Sequence, residues 1–464
     1  MERNRAPRHG TRSVSTATPF DAAELLRWDD THGHRFTHDF FRFPGKFHPP
    51  IVENILRRLK PRAVIDPMAG VGTVSVEAKA AGIPSLCIDV DPLSLFFARV
   101  KTTPISEATL LSAWDSFQPV LARMRRSEEQ TRRYRFADIA SSTTRRYLRE
   151  VNAQHLVSLD YWFRKYVLVD YARIDHSISN GGLQQSSRAV CRFFKACLLS
   201  AVRRISNADP SPVSGVEITK QMRRRFAAGY HIDVVAEFER RVRTNIERMG
   251  SYVRWLQQHG TLKTHVELVL DDCLNIPGIK KDFGYDADLI LFSPPYCNAI
   301  EYWRRHRLEY FLGGFVAPDD IGRHHKRFVG RRAVGGKSIL VPPLLDHDRC
   351  DSTIQSLHAA GRHVKAWQLW HYFHDMRTRL QRFRSIVAPE GRTVIVVGDS
   401  RTSGHEIPTA QILQDLAVES GFEFEGVVRY PIKNRSMQYP LKSGHSKIAE
   451  ESIVVLRRPA EQDG

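Results

Sequence analysis

The strongest constraint on the fold is a strand, glycine loop and helix between residues 64 and 82. The stretch "VIDPMAGVGTVSVEAKAAG" begins with apolar strand residues, passes through closely spaced glycines and continues as a helix that Gly82 ends. A second strand, "PSLCIDVDP" (84–92), and a second helix, "LSLFFARVK" (93–101), follow directly. Alternating strands and helices of this length predict an α/β fold with a doubly wound parallel sheet.

The same alternation returns after residue 261 and divides the chain into parts. Strands are predicted in "HVELVLDDCLNI" (265–276), "DADLILFSPPY" (286–296) and "RTVIVVGDS" (392–400), with one helix over 353–387 and a closing antiparallel pair in 422–432 and 450–458. We therefore predict a disordered basic arm over 1–20, a cofactor half over 21–104, a helical insertion over 105–260 and a catalytic half over 261–464.

The predicted insertion carries most of the chain's positive charge. Apolar residues from Val235 to Leu256 recur every three or four positions, which predicts a long amphipathic helix, and "AVCRFFKACLLSAVRRI" (189–205) predicts another. Between 105 and 260 there are 26 Lys and Arg against 15 Asp and Glu, a net +11 of the chain's +18. Such a surplus favours a nucleic-acid partner, and Arg223, Arg224 and Arg225 are candidates to follow its backbone.

The glycine loop predicts a nucleoside site. Glycines let the backbone approach a ligand closely, and the following helix offers unpaired N–H groups. Asp89, at the end of the second strand, can accept hydrogen bonds from ribose hydroxyls, whereas Asp91 better fits a helix cap. Ser75 replaces the third glycine of a dinucleotide fingerprint, and no phosphate-binding GxxxxGK[ST] motif is near. S-adenosyl-L-methionine therefore fits better than ATP or NAD.

Three motifs together resemble the amino-methyltransferases that modify exocyclic amines of DNA bases. They are "FPGKFHPP" (43–50), "DPMAGVGT" (66–73) and "SPPY" (293–296). The resemblance covers about 43–100 and 265–456 and implies a seven-stranded Rossmann-like methyltransferase sheet whose last strand is antiparallel. It also implies the cofactor-binding residues Phe43, Lys46, Asp66, Pro67, Ala69, Gly70, Gly72, Thr73, Asp89 and Asp272. The helical insertion lies outside the resemblance, as a candidate target-recognition region.

The SPPY motif implies the catalytic residues Ser293, Pro294, Pro295 and Tyr296. Serine in its first position favours cytosine N4 as the methylated atom, whereas aspartate is typical of adenine-N6 enzymes. The sequence thus predicts a site-specific DNA methyltransferase that flips its target base and transfers the methyl group directly. Adenine-N6 methylation, an RNA methyltransferase of similar fold and an inactive nucleic-acid-binding protein remain alternatives.

Basic and aromatic residues alternate after the SPPY motif, a pattern that suits phosphate contacts beside a flipped base. The candidates there are Arg304, Arg305 and Arg307, and the basic stretch "KRFVGRR" (326–332) is a further candidate for phosphate contacts, with Arg331 and Arg332. DNA is the expected partner, and the resemblance also implies a partner nuclease or defence-system components. No apolar run is long enough to span a membrane, no metal site is expected, and the N-terminus lacks a secretory signal, so a cytoplasmic protein is predicted.

Overall fold

The computed structural model describes most of the chain between residues 20 and 460. The described residues are 20, 22–27, 35–43, 45–127, 145–146, 148–149, 159, 161–180, 183, 186–209, 217–297, 305–330, 340–402, 404–432 and 450–460. The predicted basic arm lies outside them, except for Phe20.

A seven-stranded sheet forms the centre of the described fold. Its strands are β1 Val64–Asp66, β2 Ser85–Asp89, β3 Val266–Leu270, β4 Leu289–Phe292, β5 Arg392–Gly398, β8 Glu423–Pro431 and β9 Glu450–Arg457, and a separate hairpin pairs β6 Ser400–Thr402 with β7 His405–Ile407. The strand order is β3-β2-β1-β4-β5-β9-β8. The first five strands are parallel, and β9 is antiparallel to both β5 and β8. The chain has the predicted Rossmann-like methyltransferase fold, and the predicted closing antiparallel pair is confirmed.

Helices cover the sheet and fill the region between β2 and β3. They are α1 Ala22–Leu25, α2 Pro49–Leu59, α3 Thr73–Ala80, α4 Pro92–Thr102, α5 Glu107–Ala122, α6 Lys165–Asn180, α7 Arg188–Ile205, α8 Lys220–Ala227, α9 Val234–Gln258, α10 Ile276–Phe283, α11 Arg307–Gly313, α12 Ile321–His325, α13 Asp348–Ala359, α14 His363–Ile386 and α15 Thr409–Glu419. In the part of the chain that the structure describes, none is both long and apolar enough to cross a bilayer.

The prediction of one continuous helix over 353–387 is wrong. Two helices, α13 and α14, occupy the region, and Gly361 between them has a φ of +70°. A left-handed residue ends a helix, and glycine adopts that conformation without a steric penalty. Residues 360–362 alone separate the two helices, and this short break is why the pattern suggested one element.

The predicted insertion packs directly against the cofactor half of the sheet. Its described elements are all helical, and one apolar core contains Phe193 and Phe238 of the insertion together with Val76 and Phe97 of α3 and α4. The Tyr252 hydroxyl in α9 donates a hydrogen bond to the backbone carbonyl of Val76, at 3.1 Å. The long helix predicted around 235–256 is confirmed as α9, while the division at residues 105 and 260 stays a prediction.

Candidate active site

A cleft lies at the carboxyl ends of the central parallel strands, where α/β sheets usually bind ligands. Its empty volume is about 870 Å³, counting the open mouth. Several residues predicted from the sequence line it together, namely Phe43, Lys46, Asp66, Pro67, Ala69, Gly70, Thr73, Asp89, Asp272, Ser293 and Pro295. The cleft thus brings residues from the predicted cofactor half and the predicted catalytic half to one site.

Asp89 connects the end of β2 to the glycine loop. Its Oδ2 accepts a hydrogen bond from the Gly70 N–H at 2.7 Å, and its Oδ1 accepts one from the Asp91 N–H at 2.9 Å. Burial, with the neighbouring charge of Asp91, raises the pKa of Asp89 to about 7. Burial also raises the pKa of Asp66, at the end of β1, well above its usual range. The two carboxyl groups nearest the loop therefore hold protons more strongly than free carboxyl groups do.

Asp91 caps the helix that follows β2. Its side chain accepts hydrogen bonds from the Leu93 N–H at 3.0 Å and from the Ser94 hydroxyl at 2.6 Å. Capping in this way satisfies N–H groups that the first turn of a helix leaves without partners. The predicted capping role of Asp91 is confirmed.

Asp272 is held by an arginine that sequence reasoning missed. Arg379 Nη2 donates to both carboxylate oxygens of Asp272, at 3.0 and 2.9 Å, while Arg379 Nη1 donates to the Asp375 carbonyl. Arg379 is buried and lines the cleft. The one sequence signal is its position on the buried face of α14, in register with Met376 and Phe383. A charged residue at such a position needs a partner of opposite charge.

Phe43 and Lys46 lie in the segment that precedes α2. Phe43 stacks against the buried ring of His306, with centroids 5.2 Å apart and planes 8° from parallel. Lys46 Nζ donates to Asp39 Oδ1 at 3.1 Å. A Cβ built on Gly70 would meet the Phe43 ring at 3.6 Å, so this ring lies over the glycine loop.

A buried ionic network fastens this segment to α3. Glu77 of α3 accepts a hydrogen bond from Arg35, and Glu77 Oε1 lies 2.6 Å from His38 Nε2. Burial lowers the pKa of His38 well below its usual value. Beneath the loop, Lys101 Nζ donates to the Val71 carbonyl at 2.7 Å, and burial lowers the pKa of Lys101 to about 7. Sequence reasoning missed these residues because each partner is distant along the chain.

The SPPY loop continues from the end of β4. Ser293 and Pro295 line the cleft, and Pro294 is buried. The lining includes neither Tyr296 nor Gly72. Instead, the Tyr296 hydroxyl donates to Glu451 Oε1 at 2.6 Å, and Gly72 packs against Ala98 of α4. The catalytic role of Tyr296 and the cofactor contact of Gly72 stay predictions.

The predicted nucleic-acid contacts fall into separate places. Arg223, Arg224 and Arg225 are exposed on α8, where the Arg225 guanidinium lies 4.2 Å from the ring centroid of Tyr230. Arg305 and Arg307 are partly buried near α11. Three further candidates lie outside the described residues, namely Arg304, Arg331 and Arg332. Their role in binding DNA stays a prediction.

Arg327 is a basic residue of the stretch "KRFVGRR" that lines the cleft, with Phe328 and Val329. The Gly330 N–H that follows donates to Asp375 Oδ2 at 3.1 Å. The structure therefore brings part of this basic stretch beside the candidate cofactor site. The sequence identified this basic stretch as a candidate for phosphate contacts, but it did not single out Arg327.

The chain was compared with known proteins. No family model matches it. It is 21% identical over 406 residues to the Type II methyltransferase M.MvaI of Kocuria varians, which covers 85% of this chain and 84% of that protein. It is 26% identical over 217 residues to the Type II methyltransferase M.AvaI of Nostoc sp. (strain PCC 7120) and to that of Anabaena variabilis, covering 43% of this chain and 44% of each. The chain is therefore similar, over most of its length, to a type II methyltransferase.

Proposed function

We propose that this protein is an S-adenosyl-L-methionine-dependent DNA methyltransferase that modifies the exocyclic N4 amine of cytosine. The observation that carries the proposal is the shared cleft. Ser293 and Pro295 of the SPPY loop line the same cavity as Asp66, Gly70 and Asp89, within a methyltransferase-type sheet. A methyl donor bound by the loop and the β2 carboxylate would therefore meet a base held by the SPPY loop.

The charge of the cleft supports the choice of cofactor. Five aspartates line it, namely Asp66, Asp89, Asp91, Asp271 and Asp272, against the basic residues Lys46, Arg327 and Arg379. An acidic lining repels a polyphosphate and attracts a cation. S-adenosyl-L-methionine, which supplies an electrophilic methyl group on a sulfonium, fits these residues better than ATP or NAD.

Within this proposal, Asp89 would hold the ribose hydroxyls and Asp272 would accept from the adenine amine. Phe43 and Lys46 would lie toward the methionine end. Asp89 and Asp272 would supply oxygen acceptors for the ribose hydroxyls and the adenine amine, Lys46 would supply a donor at the methionine end, and Arg379 fixes the direction of the Asp272 carboxylate. Such support of a binding side chain reduces the freedom that it must lose when the ligand binds.

The chemistry at the SPPY loop is one of orientation. An aromatic amine is a weak nucleophile because its lone pair is delocalised into the ring. The Ser293 hydroxyl and the Pro294 carbonyl can accept the two amine hydrogens, and the two proline rings restrict the backbone that carries the carbonyl. The nitrogen lone pair then points at the methyl group, and positioning supplies most of the rate enhancement. The Tyr296 ring would stack on the flipped base, worth about 1–3 kcal/mol.

DNA is the proposed partner because the net charge of +18 suits a polyanion and because the relatives are named type II methyltransferases. The exposed arginines of α8 would contact phosphates, and the names of the relatives support a restriction-modification setting, in which a partner nuclease would act. Serine at position 293 is the reason for choosing cytosine N4 over adenine N6.

The test is transfer of a labelled methyl group to plasmid DNA, followed by nucleoside analysis. We expect N4-methylcytosine, and Ser293→Ala should lower kcat by about 100-fold, as the loss of one positioned transition-state contact does. Calorimetry should show unchanged cofactor binding in that variant. Ser385→Ala, an exposed serine in α14, is the matched control and should keep full activity.

Other outcomes would each correct one part of the proposal. N6-methyladenine would move the target base, and label found in RNA alone would refute DNA as the substrate. Full activity in Ser293→Ala would refute the assignment of the SPPY loop as the catalytic site.

A further inference from the structure

Glu451 joins two tyrosines at the edge of the SPPY loop. The Tyr296 hydroxyl donates to Glu451 Oε1 at 2.6 Å, and the Tyr430 hydroxyl donates to Glu451 Oε2. Tyr430 in β8 and Glu451 in β9 are directly paired across the two strands. One carboxylate therefore ties the loop after β4 to the closing strands of the sheet.

Hydrogen bonds to a charged acceptor are shorter and about twice as strong as those between neutral groups. Burial raises the pKa of Tyr430, and the charge of Glu451 raises it further, so Tyr430 remains a donor. With one oxygen engaged by Tyr430 and the other by Tyr296, the carboxylate is held in one orientation. It can in turn hold the Tyr296 ring.

The ring of Tyr296 is thus restrained at two ends. At its backbone end stand Pro294 and Pro295, whose rings limit the loop conformation. At its hydroxyl end stands Glu451, which is anchored in a β-strand. Without Glu451, the Tyr296 hydroxyl would lose its anchor in the sheet, and other side-chain rotamers would become more accessible to the ring.

We propose that Glu451 is a positioning residue that fixes the Tyr296 ring in the orientation that stacks on an extruded base. The inference rests on the proposed function, in which Tyr296 is that stacking face. Glu451 acts only through the Tyr296 hydroxyl and does not touch the reacting atoms. The sequence contains no signal for this role, because Glu451 reads as an ordinary polar residue at the start of a strand.

The experiment is a double-mutant cycle on methyl transfer to plasmid DNA. Glu451→Ala and Tyr296→Phe should each lower kcat by about tenfold, the loss expected for one charge-assisted hydrogen bond, with unchanged cofactor affinity. The double variant should also lose about tenfold, because both changes remove the same contact. Glu451→Gln retains an acceptor and should restore part of the activity. Losses that multiply to about 100-fold in the double variant would overturn the proposal.

Tyr430→Phe is the matched control. It removes the other hydroxyl from the same carboxylate but leaves the hydrogen bond between Tyr296 and Glu451 in place, so it should lower the unfolding midpoint and lower kcat by clearly less than Glu451→Ala does. If Tyr430→Phe lowered kcat as much as Glu451→Ala, the carboxylate would act through the packing of β8 and β9. That result would overturn the positioning role.

A measurement that does not depend on methyl transfer separates this inference from the proposed function. Fluorotyrosine incorporated at position 296 should give one ¹⁹F NMR signal in the otherwise unchanged protein, and a shifted or split signal after Glu451→Ala. If this holds in a protein that methylates no DNA, the positioning contact stands and the proposed function fails. If DNA is methylated and Glu451→Ala changes neither kcat nor the signal, the positioning contact fails and the proposed function stands.

Discussion

Gly72 is the residue of the glycine loop at which packing, as well as backbone conformation, demands glycine. It has a φ of +75° and directly precedes α3. A Cβ built on it would lie 2.8 Å from the Ala98 Cβ and 3.1 Å from the Ala98 Cα. Ala98 is fully buried in α4, so neither partner can move without shifting a helix. We therefore predict that the main effect of Gly72→Ala is a lower unfolding free energy, because the added methyl group disturbs the packing of α3 against α4.

The expected loss has two sources. Holding alanine in the left-handed region costs about 1–2 kcal/mol. Forcing a methyl group into a packed contact costs about 1–3 kcal/mol more. The unfolding free energy of Gly72→Ala should therefore fall by about 2–5 kcal/mol, a large share of the stability of a typical domain.

Urea unfolding, followed by far-UV circular dichroism, measures this loss, and Gly260→Ala is the matched control. Gly260 has a φ of +69° and no heavy atom within 4 Å of a built Cβ, so its variant should lose only about 1–2 kcal/mol. Adding Ala98→Gly to Gly72→Ala should restore part of the lost unfolding free energy, because it removes the Ala98 Cβ that the new methyl group would meet. Equal losses for Gly72→Ala and Gly260→Ala would refute the packing argument.

Two further predictions concern the cofactor. Arg379→Met should weaken cofactor binding by about tenfold in calorimetry, because Asp272 loses a charged partner. The matched control, Arg382→Met at an exposed position of α14, should leave the affinity unchanged. Equal affinities in both variants would contradict the role of Arg379 in supporting Asp272. Cofactor affinity should be constant above pH 7 and fall by up to about tenfold per pH unit below it, because the raised pKa of Asp89 makes the ligand displace a proton. Calorimetry across that range should show a flatter profile for Asp89→Asn, and an unchanged profile would exclude Asp89 as the titrating group.

The parts of the fold that sequence reasoning predicted are those encoded locally. Each central strand is a short apolar run followed by a turn signal, and the cap at Asp91 is followed by Pro92, which suits the first turn of a helix. The meeting of the SPPY loop with the glycine loop could be expected as well, because parallel strands present their carboxyl ends on one edge of the sheet.

The contacts that escaped prediction depend on residues far apart in the chain. Arg379 and Asp272 are separated by 107 positions, and Tyr296 and Glu451 by 155. No local pattern identifies such a pair, because Arg379 alone reads as a polar residue in a helix and Glu451 as one in a strand. Only the three-dimensional packing brings the members of these two pairs together.

The charge distribution is compatible with the two proposed ligands, which have opposite charge. The net charge is +18, yet the cleft contains carboxylates from the ends of three strands, β1, β2 and β3. Buried carboxylates at close range repel one another, and burial raises the pKa of both Asp66 and Asp89. Protons therefore offset part of the negative charge while no cation is bound. A cationic ligand would replace those protons, so the predicted pH dependence of affinity and the acidity of the cleft have the same physical origin.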